Sequence, residues 1–235
     1  MSGKLSLLLV GAFSFGLALG LSPAFAQESG GGGSKANLDL PVEAAGQEEE
    51  EEEAPEIVVF YGQEFEGNGI FFCCDKSRSM RGERWTRCQQ EVLKNVTQFS
   101  DRVQFGIVFF DATIEKFPNT HKPAEATPGM KAAVQVWVKS IQTGAGSCYK
   151  EGLIHALNFA NAATVKRRLI IVLGDGQVHC RGEDTGYEAK CLSEVRSRNS
   201  SGVKINTLCI LCTSGANFMK TLAAQNGGTF AAVEG

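Results

Sequence analysis

Asp75, Ser77 and Ser79 stand at alternate positions in Asp75-Lys76-Ser77-Arg78-Ser79-Met80, directly after the apolar run Ile70–Cys74. One carboxylate and two hydroxyls spaced this way can converge on a single point where the chain turns sharply. Ser147 closes the glycine-rich stretch Gly144-Ala145-Gly146, and Asp175 lies between Gly174 and Gly176 just beyond the apolar run Leu169–Leu173. All these groups are hard oxygen donors, the set that suits Mg²⁺ or Mn²⁺ rather than a softer metal. Ser and Asp are also common helix N-caps, so the bland alternative is that these loops merely start helices.

Such donors are useful only if the elements around them bring the three loops together. Short β-branched or aromatic runs occur at Ile70–Cys74, Val103–Phe110, Leu169–Leu173, Val203–Leu211 and Thr229–Val233. Between them lie segments with helical spacing. Trp85, Cys88, Val92, Val96 and Phe99 recur at steps of three and four, as do Met130, Val134, Trp137 or Val138, and Ile141. Leu153, Leu157 and Ala160 form a third such face, and Phe218 or Met219 with Leu222 a fourth.

Strands with nearly continuous apolar character, alternating with helices, predict an α/β fold. Its central sheet is doubly wound, mostly parallel and covered by helices on both faces. Thr113–Phe117 follows Val103–Phe110 too closely for a crossover helix and is expected to pair with it as one antiparallel edge strand. Ile57–Tyr61 is expected to add an outer strand. In open sheets of this kind ligands sit beyond the carboxyl ends of the strands, where the winding direction reverses. The three loops all fall there.

These stretches resemble the metal-ion-dependent adhesion site (MIDAS) of von Willebrand factor type A domains, whose sheet is Rossmann-like. Members of that family carry D-x-S-x-S after the first core strand, a Thr on a glycine-rich second loop and an Asp in a T-D-G-like third loop. Asp75, Ser77 and Ser79 match the first motif, Ser147 stands where the Thr belongs, and Asp175 matches the Asp. Ile205–Cys209, Phe218-Met219, Leu222-Ala223 and Gly227-Gly228-Thr229-Phe230 are similar to the family's last strand, helix and strand. The resemblance covers Asn68 to Val233.

The resemblance implies that Ser77 and Ser79 bind a Mg²⁺ or Mn²⁺ directly, that Asp75 and Asp175 hold it mainly through water, and that Ser147 does either. It implies a protein-binding, adhesion-type module without catalysis, in which the ion accepts an acidic side chain of a partner. Few direct anionic ligands leave such an ion strongly attractive to an incoming carboxylate. This chain departs from the pattern at Arg78, where a small residue is usual, at Ser147, and at Gly174, where a Thr often stands. Lys76 and Arg78 are expected to reinforce the attraction for an acid, and Arg84 and Arg87 to lie on a solvated helix face.

Two other readings compete. A phosphatase of the haloacid-dehalogenase type would use Asp75 at a strand end and the loop Gly174-Asp175-Gly176, but it needs a general acid two positions after the nucleophile, where this chain has Ser77. A scaffold domain with a degenerate site would bind partners without metal.

The 235 residues contain 43% apolar and 21% charged residues, which excludes collagen-like and wholly disordered chains. Residues 1–26 read as a signal peptide: Lys4, an apolar run from Leu5 to Leu21, and Ala24 and Ala26 framing a cleavage site. The expected location is therefore secreted or periplasmic, with no stable membrane insertion after cleavage. Residues 27–56, with Gly30–Gly33 and the acidic block Glu48–Glu53, read as a mobile tether, and 57–235 as one domain. The acidic block is also a candidate to occupy the metal site in cis. From Ile57 onward 21 Lys and Arg face 16 Asp and Glu, too weak an excess for nucleic-acid binding.

Eight cysteines in an exported chain permit disulfides. Cys180–Cys191 is the first expected bridge and Cys148–Cys180 the second. Either would stiffen the metal loops. Cys209-x-x-Cys212 ends a strand instead of opening a helix, which argues against redox catalysis. A zinc site from His179, Cys180 and Cys191 lacks a paired-ligand spacing. Cys73 and Cys74 point to opposite faces of their strand, so at least one is expected to be buried.

Overall fold

The computed structural model describes residues 54–180, 182 and 185–234. The leader, the tether through Glu53 with its acidic block, and Arg181 lie outside the described residues. Glu56, read as the last tether residue, is the first residue of a strand.

The central sheet is built from β3 (Gly69–Asp75), β4 (Gln104–Phe110), β5 (Ile114–Phe117), β6 (Ala124–Glu125), β7 (Arg168–Gly174), β8 (Lys204–Ile210) and β9 (Phe230–Val233). Its order is β5-β4-β3-β7-β8-β9. β4, β3, β7, β8 and β9 run parallel, whereas β5 and the short β6 pair antiparallel with β4. The expected α/β sheet and its antiparallel edge strand are thus present, and β6 adds a second antiparallel pairing. The segment Ile57–Tyr61 behaves differently. β1 (Glu56–Phe60) pairs only with β2 (Gln63–Gly67), forming a separate hairpin that seats Val58, Phe60 and Phe65 on the core. A tight turn at Tyr61 and Gly62, both with positive φ, returns the chain before it can reach the sheet.

The strand period of two divides the core. Ile70, Phe72 and Cys74 face one apolar cluster with Ile107, Phe109, Ile171 and Leu173, covered by α1 (Glu83–Gln98) and α2 (Pro128–Ser140). Phe71, Cys73, Val108, Phe110 and Val172 face the other, covered by α3 (Tyr149–Ala162), α4 (Tyr187–Arg198) and α5 (Ala216–Gln225). Both Cys73 and Cys74 are buried free thiols. Gly106 lets α3 press onto β4, because a Cβ there would meet the Phe159 ring at 2.7 Å.

α4 is absent from the pattern read in the sequence. It buries only Tyr187, Cys191 and Val195, a single file four residues apart in an otherwise polar segment, too thin a stripe to register as an amphipathic face.

β3 is followed in the sheet by β4 on one side and β7 on the other. The reversal of winding lies at its carboxyl end, and Asp75 is the last residue of β3.

Candidate metal centre

Three aspartates follow or end three adjacent parallel strands: Asp75 on β3, Asp111 just after β4 and Asp175 just after β7. All three are buried. Asp75 Oδ1 accepts the Ser77 N–H at 2.7 Å, which folds the first loop back over the strand end. Its Oδ2 accepts the Ser147 hydroxyl at 2.8 Å, tying the second loop to the first. The Ser77 and Ser79 hydroxyls are 3.0 Å apart, with Ser77 buried and Ser79 half-buried beside a 3-10 turn at Arg78–Met80.

Burial pushes the Asp75 carboxyl up to about 7; the Ser77 hydrogen bonds oppose this, the Asp175 charge adds to it, and the Ser147 bond opposes it. Asp175 Oδ1 accepts the Gln177 N–H at 3.0 Å, while its Oδ2 is buried without a hydrogen-bond partner among the described residues. An ionised buried oxygen with no donor is costly. Two neighbouring buried acids, an orphaned oxygen and three hydroxyls are groups whose shared deficit a hard cation would remove. The donor set therefore fits Mg²⁺ or Mn²⁺.

Tyr149, the first residue of α3, is a further part of this centre. Its ring packs edge-on against Phe110 and Phe218, and its hydroxyl accepts the Gly176 N–H at 3.0 Å. A Cβ on residue 174 would lie 2.2 Å from that hydroxyl and 2.9 Å from Asp75 Cβ. The phenol thus fills the space that a side chain at position 174 would need. Burial, then the Asp75 and Asp175 charges, push the phenol well above its ordinary value, so it stays neutral.

Several expectations are corrected. Lys76 does not face an incoming ligand: it is buried, with Nζ 2.9 Å from Asp111 Oδ2 and 3.3 Å from Glu115 Oε1. Asp111, missed in the sequence, carries the same signal as Asp175, an acid directly after an apolar strand. Arg84 is not a solvated helix residue, since it donates to the carbonyls of Ser79 at 2.9 Å and Leu211 at 2.7 Å. Arg78 is exposed, and Arg87 donates to the Glu234 carbonyl and pairs with Glu83.

The first expected disulfide is also overturned. Cys148 bonds Cys180, and Cys191 is a free thiol buried in α4. Helix formation turns Cys191 into the core, while a backbone bridge between Ser147 and His179 brings the second and third loops side by side. The zinc trio is consequently not assembled. Among the described residues, the His, Cys, Asp and Glu side chains that come close enough together to hold a metal are Cys148, Glu151 and Cys180, whose two sulfurs are bonded to each other. Cys209 and Cys212 form a second disulfide at the end of β8.

A groove of about 600 Å³ lined by Glu64, Lys166, Arg167 and Lys204 lies at the amino ends of β7 and β8, the edge opposite Asp75 and Asp175. It contributes nothing to this centre. Beside the third loop, a cleft of about 480 Å³ runs between Gly176–His179 and the start of α5.

A family model for the von Willebrand factor type A domain matches residues 68–232. The chain belongs to the von Willebrand factor type A family. Solved structures with this fold include a von Willebrand factor type A protein from Catenulispora acidiphila, 15% identical, with a TM-score of 0.62 over 73% of this chain and 40% of that one. BatB, a conserved hypothetical protein from Bacteroides thetaiotaomicron, is 15% identical with a TM-score of 0.55 over 72% of this chain and 91% of its own. The pilus adhesin SpaC from Lactobacillus rhamnosus GG is 14% identical with a TM-score of 0.59, over 71% of this chain and 28% of that one. This type A chain thus spans less than half of the first and third of these proteins. None of the curated proteins matches it significantly. Among the described residues, no helix is long and apolar enough to cross a membrane.

Proposed function

We propose that this von Willebrand factor type A domain is an exported, cation-dependent protein-binding module. Its Mg²⁺ or Mn²⁺ would be held by Ser77, Ser79 and Ser147, with Asp75 and Asp175 behind them. The observation that carries this reading is Asp175 Oδ2, buried without a hydrogen-bond partner among the described residues, beside the Asp75 carboxyl that burial raises. A bound divalent ion supplies an electrophile that a partner's Asp or Glu side chain can join. The chain's own residues do the rest. Ser147 bonded to Asp75 and Cys148 bonded to Cys180 hold the loops in place, and Arg84 fixes the Ser79 carbonyl.

A pilus adhesin among the fold relatives makes surface adhesion a natural use for such a site. Two disulfides and the leader-like residues 1–26 support action outside the cytoplasm. A phosphatase would need a general acid at position 77, where this chain has a serine hydroxyl.

The test is Mn²⁺ titration of the chain, followed by binding to peptides that differ only in Glu against Gln. Saturable Mn²⁺ uptake, Glu-selective binding with Mg²⁺, and loss of both in Asp75→Ala are expected. Peptide binding that ignores EDTA would leave a metal-independent scaffold instead.

A further inference from the structure

The residue between Asp75 and Ser77 points away from the cation site and does something else there. Asp75, Ser77 and Ser79 turn one way, and Lys76 turns toward the end of β4. Its ammonium is 3% exposed and has three acceptors, all on the segment that follows β4: Asp111 Oδ2 at 2.9 Å, Thr113 Oγ1 at 3.2 Å and Glu115 Oε1 at 3.3 Å. An ammonium has three protons to give. Its backbone is equally engaged, with the N–H donating to the Phe110 carbonyl at 2.8 Å and the carbonyl accepting the Gly144 N–H at 2.9 Å.

Asp111 passes this order to the second loop. Its Oδ1 accepts the N–H and the hydroxyl of Thr113, both at 2.7 Å, and its carbonyl accepts the Cys148 N–H at 3.1 Å. Ala112 donates to the Ala145 carbonyl at 2.9 Å. The carboxylate packs so closely on the loop that a Cβ at Gly144 would overlap Asp111 Oδ2. The second loop is therefore laid directly on a buried carboxylate whose direction is set by Lys76. Ser147, at the end of that loop, is the residue that reaches Asp75.

We propose that Lys76 is a positioning residue: by pinning Asp111 it fixes the loop Gly144–Ser147 and so holds the Ser147 hydroxyl on Asp75. Asp111, one strand away from Asp75, thereby serves as a loop clamp. The consequence for binding rests on the cation-site reading above; the clamp itself belongs to the metal-free chain.

Lys76→Met keeps the stem and removes the ammonium. In the metal-free full chain it is expected to speed amide exchange of Ala112, Gly144 and Cys148 at least tenfold while leaving Leu208 in β8 unchanged. Mn²⁺ affinity should fall at least tenfold, but in a Ser147→Ala background Lys76→Met should cost nothing further. A merely structural role would lower affinity equally in both backgrounds, and that result overturns the proposal, as does unchanged exchange at the three amides. If Lys76→Met alone fails to fold, the pair Lys76→Met with Asp111→Asn removes both charges and is read by the same two criteria. Wild-type chain that takes up no Mn²⁺ overturns the cation site and with it the role in binding, whereas the exchange rates decide the clamp independently.

Discussion

The Ser147 hydroxyl donates to Asp75 Oδ2 at 2.8 Å across 72 positions of sequence, joining the second loop to the carboxyl end of the central strand. The carboxylate it meets is buried and raised to about 7, so in the metal-free domain Asp75 titrates near neutrality.

Asp75→Asn should reveal that cost. A carboxyl raised on folding stabilises the native state below its unfolded value near 4 and loses that contribution as pH climbs to about 7. Between pH 5 and pH 8 the metal-free wild type should therefore lose stability relative to Asp75→Asn, by roughly 1–4 kcal/mol. Urea midpoints at the two pH values measure it. The same variant should take up no Mn²⁺. Equal midpoint differences at both pH values would show that Asp75 does not titrate in this range.

Gly174→Ala should be destabilising by about 1–3 kcal/mol, because the new methyl lands on the Tyr149 hydroxyl and Asp75. In Tyr149→Phe the penalty should drop by about half, since one of the two obstacles is gone. Tyr149→Phe alone should cost about 1–3 kcal/mol through the Gly176 N–H it leaves unpaired. Additive midpoints in the double variant would contradict the contact.

Replacing Cys148 and Cys180 by Ser removes a cross-link over a sequence separation of 32. The loss expected from chain entropy is roughly 3–4 kcal/mol. Because the bridge joins the Ser147 loop to the Asp175 loop, Mn²⁺ affinity should fall as well, by about tenfold. Cys191→Ser should leave the 148–180 bridge intact in a non-reducing peptide map.

Arg84→Met should cost about 1–3 kcal/mol, since it strips two carbonyls of a charged donor; Arg87→Met, an exposed pair, should stay within about 0.5 kcal/mol. Thermal denaturation of the two variants side by side checks the contrast.

The strands and most helices were legible because their apolar residues repeat at steps that backbone geometry imposes. Phe71 and Phe72 go to opposite faces of β3 as period two requires, and Cys88, Val92 and Val96 line one face of α1. α4 escaped because three buried residues among charged ones leave too little periodic signal. The same thin signal underlies the Cys180–Cys191 expectation, because α4 turns Cys191 inward as a buried free thiol.

By itself the sequence determined the doubly wound sheet and the three loops at its carboxyl edge, where Asp75, Ser77, Ser79, Ser147 and Asp175 lie. These follow from local periodicity and chain order, which need no knowledge of distant neighbours. Only the tertiary structure decided which charges are spent internally. Lys76, Arg84 and Asp111 look in sequence like surface groups, yet Lys76 and Asp111 are buried and Arg84 half-buried, all fastened because packing presents acceptors or donors from segments up to 127 positions away. It alone placed the Tyr149 hydroxyl in the space over Gly174 and left Asp175 Oδ2 without a donor among the described residues. Whether a polar atom is satisfied depends on the sum of all groups folded around it, and no short stretch of sequence contains that sum.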